Sequence, residues 1–115
     1  MSDLDKLKTM VREFCEAREW DPYHGPKDLA IGLVTESSEL LEIFRFVSEK
    51  QQDEVLHTKR EDIADELADS LFFLLRFADR FNFDLSEALE NKLVKNAKRY
   101  PVDKARASNK KYDEL

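Results

Sequence analysis

The chain has 115 residues, 19 basic and 25 acidic for a formal charge of −6, and only two glycines and three prolines. There is room for one compact domain over residues 1–115, small enough that helix packing or self-association must carry its stability, so an oligomer is expected. The acidic balance disfavours nucleic acid polymers, the lone Cys15 excludes an intrachain disulfide, and no apolar run reaches the ~18–20 residues of a membrane span or resembles a signal peptide, so a cytoplasmic protein is expected.

The scarcity of breakers predicts an all-α fold. A first helix is expected over about 3–19, with Leu4, Leu7, Met10, Val11 and Phe14 at helical spacing and Ser2 or Asp3 as N-cap. The stretch WDPYHGP breaks it, and a second helix is expected over about 27–49, carrying ESSELLE at 36–42. EKQQDEVLHTK reads as a polar connector to a third helix over about 60–82, which carries DELADS at 65–70. A fourth is expected over about 85–99, stopping at Pro101, followed by a basic tail over 100–115 that is extended or wrapped on a neighbour.

Glu36-x-x-Glu39 and Glu66-x-x-Asp69 place two pairs of acids inside the most apolar helices. On a helix turning about 100° per residue, Leu29, Leu33, Leu40, Ile43, Phe44 and Val47 lie within about 80° of Glu36, whereas Glu39 falls about 60° to one side. Around Glu66 the same rotation gathers Ile63, Ser70, Phe73, Leu74, Phe77 and Phe81, with Asp69 at the margin. Each helix therefore aims one carboxylate at the core and a second at its edge, and a buried unpaired carboxylate costs several kcal/mol unless neutralised. Ion pairs with Arg76 or Lys92 are one compensation. The repetition of the geometry favours another, a shared metal site of up to eight oxygens suited to Mg²⁺ or Mn²⁺. Without paired Cys or His nearby, zinc and di-iron centres are disfavoured. Phosphate esters are the natural ligands of such ions.

Trp20, Tyr23 and His24 lie in the loop before the first acidic helix, where they form either a stiff connector or a wall for a nucleobase. Phe46 and Phe73 lie near the acidic pairs and can complete an apolar slot or belong to the core. Lys92 and Asn96, i and i+4 on the fourth helix, suit phosphate and sugar or base respectively, or a solvated helix face. Cys15 reads as a buried small hydrophobe. There is no Gly-rich phosphate loop, so phosphate must be held through metal and side chains.

The E-x-x-E … E-x-x-D arrangement, with REWDPYHGPKDL and the ending KNAKRYPVDKARASNKKYDEL, resembles the MazG-like, all-α nucleoside triphosphate pyrophosphohydrolases over nearly the whole chain, and within them the dCTP pyrophosphatase branch. The resemblance implies a four-helix bundle assembled as a tetramer, a dimer of dimers with active sites between subunits. It implies hydrolysis between the α and β phosphates to monophosphate and pyrophosphate, with Mg²⁺ held by Glu36, Glu39, Glu66 and Asp69 as metal and catalytic residues. Trp20 and His24 match the base-side loop, and Lys92 and Asn96 the sugar and phosphate contacts. Phe46 and Phe73 stand where the animal enzymes of the branch have tryptophan and tyrosine.

The reading that follows is a house-cleaning nucleotide pyrophosphohydrolase acting on dCTP or a modified cytosine triphosphate. Within that class dUTP or a broader set of dNTPs is the alternative. Outside it stand a non-enzymatic helical oligomerisation module, whose acids pair with bases across the assembly, and a metal store or sensor.

Overall fold

A computed structural model describes residues 2–115. The described chain is helical, with no strand among the described residues, and divides into two compact units: the chain up to Asn82, and Phe83–Leu115. No helix is long and apolar enough to cross a membrane among the described residues.

In the first unit, α1 (Asp3–Ala17) opens on a capping box in which the Ser2 hydroxyl accepts from the Asp5 N–H at 3.2 Å while the Asp5 carboxylate accepts from the Ser2 N–H at 3.3 Å. The helix ends two residues short of the expected Glu19, because Glu19 adopts a φ of 55° and the Trp20 N–H turns back to the Cys15 carbonyl. A single 3₁₀ turn over Asp21–Tyr23 leads to α2 (Pro26–Phe44), which begins with proline at its first position, where no backbone donor is needed.

The sequence expectation placed the end of the second helix at 49, and the structure corrects it. The chain turns out of α2 at Arg45, and Ser48 with Gln51 forms a second capping box that starts a new turn over Glu49–Gln51 and then α3 (Gln52–Thr58). The polar connector is thus largely helical. Lys59 breaks α3 from α4 (Arg60–Phe81), whose 22 residues span about 33 Å and end on Asn82 in the left-handed conformation.

α2 and α4 form the principal contact of the unit, and α1 packs on α4, where the Arg12 Nε donates to Asp79 at 2.9 Å. Glu36 approaches Glu66 and Gly32 faces Phe73, so the two helices run antiparallel. Gly32 is there for space: a Cβ at this position would come within 2.3 Å of the Phe73 ring. The fully buried apolar side chains, Cys15, Leu29, Leu75 and Ala78, come from the end of α1, the start of α2 and the end of α4. The core is therefore concentrated at one end of the hairpin, with the acidic residues beyond it.

In the second unit, α5 (Leu85–Arg99) is capped by the Asp84 carboxylate accepting from the Glu87 N–H at 3.1 Å and closes on Tyr100 before Pro101. The tail is folded rather than extended. α6 (Val102–Ala105) follows Pro101, a 3₁₀ turn covers Tyr112–Glu114, and Tyr112 returns to meet the Tyr100 ring edge-on at 6.2 Å with Arg99 over its face at 4.8 Å.

Candidate active site and metal centre

The α2–α4 hairpin brings three acids together. One carboxylate oxygen each from Glu36, Glu39 and Glu66 lies within 4.8 Å of the other two. Glu36 and Glu66 are half-buried whereas Glu39 and Asp69 are exposed, the same division between core and margin that helical rotation gives. Asp69, one turn beyond Glu66, stands outside the trio, yet its charge still acts on both Glu36 and Glu66.

Both half-buried acids carry one oxygen that is fully buried and without a hydrogen-bond partner, Glu36 Oε2 and Glu66 Oε2. As carboxylates these groups only accept, so the contacts between them become hydrogen bonds only when one holds a proton. That contact with Glu39, followed by burial and then the charges of Glu39, Asp69 and Glu66, pushes the Glu36 carboxyl up to about 7. Glu66 is also raised, chiefly by burial and next by its contact with Glu39. Near neutral pH the site is left with repulsion and orphaned oxygens, which a hard divalent cation removes by supplying two positive charges to oxygen ligands. The donor set, all carboxylate and without sulfur or imidazole, fits such an ion.

The ion-pair alternative loses its arginine. Arg76 is 1% exposed and is engaged with Asp21 and His24, while Arg80 also bridges to Asp21 at 3.3 Å. The outer neighbour Glu42 pairs with Arg45 at 3.7 Å. An open groove of about 470 Å³ runs past Glu39 along Ser38, Leu41 and Phe44, so Glu39 is the member of the trio most accessible from outside.

The other expected residues are placed unevenly. Trp20 lies edge-on to Phe14 of α1 at 5.7 Å and to His24 at 5.8 Å, so the three rings form one edge-to-face cluster. Phe73 is half-buried against Gly32, between Asp69 and Arg76 on the chain, and meets Phe72 edge-on at 5.3 Å. Phe46, just past α2, is 84% exposed with the Arg45 guanidinium over its ring at 4.9 Å. Lys92 is exposed and Asn96 half-buried on α5, in the second unit. Sequence reasoning missed the Asp21–Arg76–Arg80 network. Its signal was an Arg-x-x-x-Arg pair, one of them on the apolar face of its helix, with Asp21 and His24 in a loop whose return to α4 no local pattern encodes.

An all-helical hairpin that gathers carboxylates from two antiparallel helices around unpaired buried oxygens defines a class of acidic, cation-ready helical sites. The chain belongs to the MazG-like family, which matches residues 31–115. It is 35% identical over 114 residues to dCTP pyrophosphatase 1 of Homo sapiens, covering 97% of this chain and 67% of that protein. The Mus musculus protein of the same name is 34% identical over 114 residues, with the same coverage of 97% and 67%. The crystal structure of a pyrophosphatase from Archaeoglobus fulgidus DSM 4304 is similar in fold, with a TM-score of 0.84 at 36% identity over 88% of this chain and 94% of that one.

Proposed function

We infer that this protein is a nucleoside triphosphate pyrophosphohydrolase that cleaves dCTP or a modified cytosine triphosphate between the α and β phosphates. The enzyme class rests on its relatives: two curated proteins named dCTP pyrophosphatase 1 and a structural neighbour described as a pyrophosphatase. The observation on this chain that carries the reading is the pair of buried, partnerless oxygens of Glu36 and Glu66 within the acidic trio.

Glu36, Glu39 and Glu66, with Asp69 at the rim, would hold the divalent cation, Mg²⁺ first and Mn²⁺ as its substitute. Such an ion supplies neutralising charge to phosphoryl oxygens and lowers the pKa of a nearby water. The half-buried Glu36 and Glu66 anchor the site against the hairpin and keep bulk water from that side. The exposed Glu39 and Asp69 face the substrate, orient the attacking water and accept its proton. Attack at the α phosphorus opens the bond to the bridging oxygen, which leaves with pyrophosphate, and the nucleoside monophosphate remains.

The edge-to-face Trp20–His24 pair is assigned to the base, where aromatic faces and a polar edge suit a planar ligand. Lys92 and Asn96 are assigned to the nucleotide on their motif alone, and Phe46 and Phe73 to the apolar side of the base slot. A homo-oligomer, a tetramer as a dimer of dimers, is part of the same proposal. Exposed Ile31, Val34 and Leu41 on α2 and Leu67, Leu71 and Leu74 on α4 support it.

The test is a panel of canonical and modified dNTPs with Mg²⁺, resolving all phosphate products. Monophosphate plus pyrophosphate, with cytosine nucleotides preferred, is expected. Diphosphate plus phosphate would overturn α–β cleavage, and a preference for dUTP or for no base would overturn the substrate assignment.

A further inference from the structure

Arg76 is 1% exposed yet permanently charged, so every hydrogen bond it makes matters. Its Nε donates to Nδ1 of His24 at 2.9 Å and a terminal nitrogen donates to Asp21 Oδ1 at 2.5 Å. Arg80 completes the clamp, lying 3.3 Å from Asp21 Oδ2 and donating to the Asp21 carbonyl at 3.4 Å.

A guanidinium has donors and no acceptor. The Nδ1 it meets must therefore present a lone pair, so the imidazole is neutral and its one proton sits on Nε2. Burial, then the charges of Arg76 and Arg80, hold His24 below the ordinary histidine range against the opposing charges of Asp21 and Asp28, which agrees with that state. The one side-chain hydrogen bond of His24 among the described residues is at Nδ1, which leaves the Nε2–H as a free donor, and the Trp20 ring lies edge-on to the imidazole at 5.8 Å.

The placement of this donor follows from one face of α4. Glu66, Asp69, Phe73 and Arg76 are spaced by three, four and three residues, so they share a stripe. Because α2 runs antiparallel, Glu66 meets Glu36, Phe73 meets Gly32, and Arg76 meets the loop just before α2. The ten residues from Glu66 to Arg76 put His24 about 15 Å along the hairpin from the carboxylates, with the Phe73 ring between.

We propose that Arg76 is a positioning residue that fixes His24 as its Nε2–H tautomer, making that N–H a preset donor to an acceptor on the nucleotide base, a carbonyl oxygen or an unprotonated ring nitrogen. This deepens the function proposed above and rests on its assignment of the Trp20–His24 loop to the base. Asp21 and Arg80 set the orientation of Arg76 rather than touching the nucleotide. An exocyclic amino group, itself a donor, finds no match at this atom.

The decisive measurement is nitrogen NMR of the histidine rings in the full chain without nucleotide, with His24 assigned by its loss in His24→Gln. A single tautomer protonated at Nε2 is expected near neutral pH, giving way to a mixture in Arg76→Lys, which keeps the charge but loses the planar fork. Kinetics with dCTP then follow the donor. His24→Asn retains an acceptor at the δ position for Arg76 but has no ε donor, and is expected to raise KM about tenfold with little change in kcat. Arg76→Lys should shift KM in the same sense. A proton on Nδ1 or mixed tautomers in the wild type would overturn the proposal, as would an unchanged KM in His24→Asn. A wild type that turns over no nucleotide would instead remove the proposed function, whatever the tautomer.

Discussion

Arg76 and Glu66 stand on the same stripe of α4, and each carries a charge into the apolar hairpin, but their surroundings differ in kind. The arginine is surrounded by partners, Asp21, His24 and the packed end of the core around Leu29, Leu75 and Ala78. Its charge is satisfied by the chain itself. The charged groups that act on the glutamate are other acids, and an oxygen of it and one of Glu36 are buried with no partner. Evolved folds seldom leave such atoms unpaired. Arg80 Nε, beside Asp21, is buried and unpartnered as well, but there a cation already has its anion, whereas the two glutamate oxygens lie among acids alone, a charge balance that something other than protein must complete.

Substitutions can break this comparison. Glu66→Gln should lower kcat by about a hundred- to a thousandfold, the scale of losing a charge-stabilising group, while the apo protein melts no lower because a repelling carboxylate is gone. A mutant retaining wild-type rate in Mg²⁺ would place the reaction elsewhere. The same experiment at the other cluster reverses the pattern. Arg76→Met should destabilise the fold, toward the lower end of the ~3–5 kcal/mol that follows loss of one partner of a buried pair, because Asp21 is half exposed and can turn to water. Denaturant unfolding checks it, and an unchanged midpoint would mean that the network carries no structural weight.

Between the clusters, Gly32→Ala forces a methyl group into the Phe73 ring and should cost about 1–3 kcal/mol by overpacking, with a matching loss of active-site order seen as a lower kcat. The smallest effect is expected away from both. Ser48→Ala removes the capping box that starts the turn into α3 and should cost about 1 kcal/mol with kcat per folded molecule unchanged.

Much of this is legible in the sequence. Breaker scarcity and helical spacing located the four longer helices, and a rotation of 100° per residue separated the half-buried Glu36 and Glu66 from the exposed Glu39 and Asp69. What escaped was of two kinds. Ser48-x-x-Gln51 is a local signal, a capping box in plain view, obscured by the polar residues that made its surroundings look like a connector. The partners of Arg76 are not local at all, since they depend on a loop 52 residues away folding back onto α4. Likewise, i, i+3 spacing puts Asp69 beside Glu66 along the helix but cannot give distances across the hairpin, where three oxygens converge and the fourth acid remains at the rim.

The central claim is that the acidic cluster is completed by a divalent cation, and thermal melting with and without Mg²⁺ addresses it most directly. Glu36 is raised from 4.5 to about 7, so between those values the folded state binds more protons than the unfolded, and apo stability should fall as pH rises through that window and level off above it. Mg²⁺ binds the ionised cluster, so it should raise the Tm strongly at pH 8 and little at pH 5, in proportion to the logarithm of its concentration, and the gain should vanish in Glu36→Gln. An equal gain in Glu36→Gln, or none in the wild type at pH 8, would contradict the account.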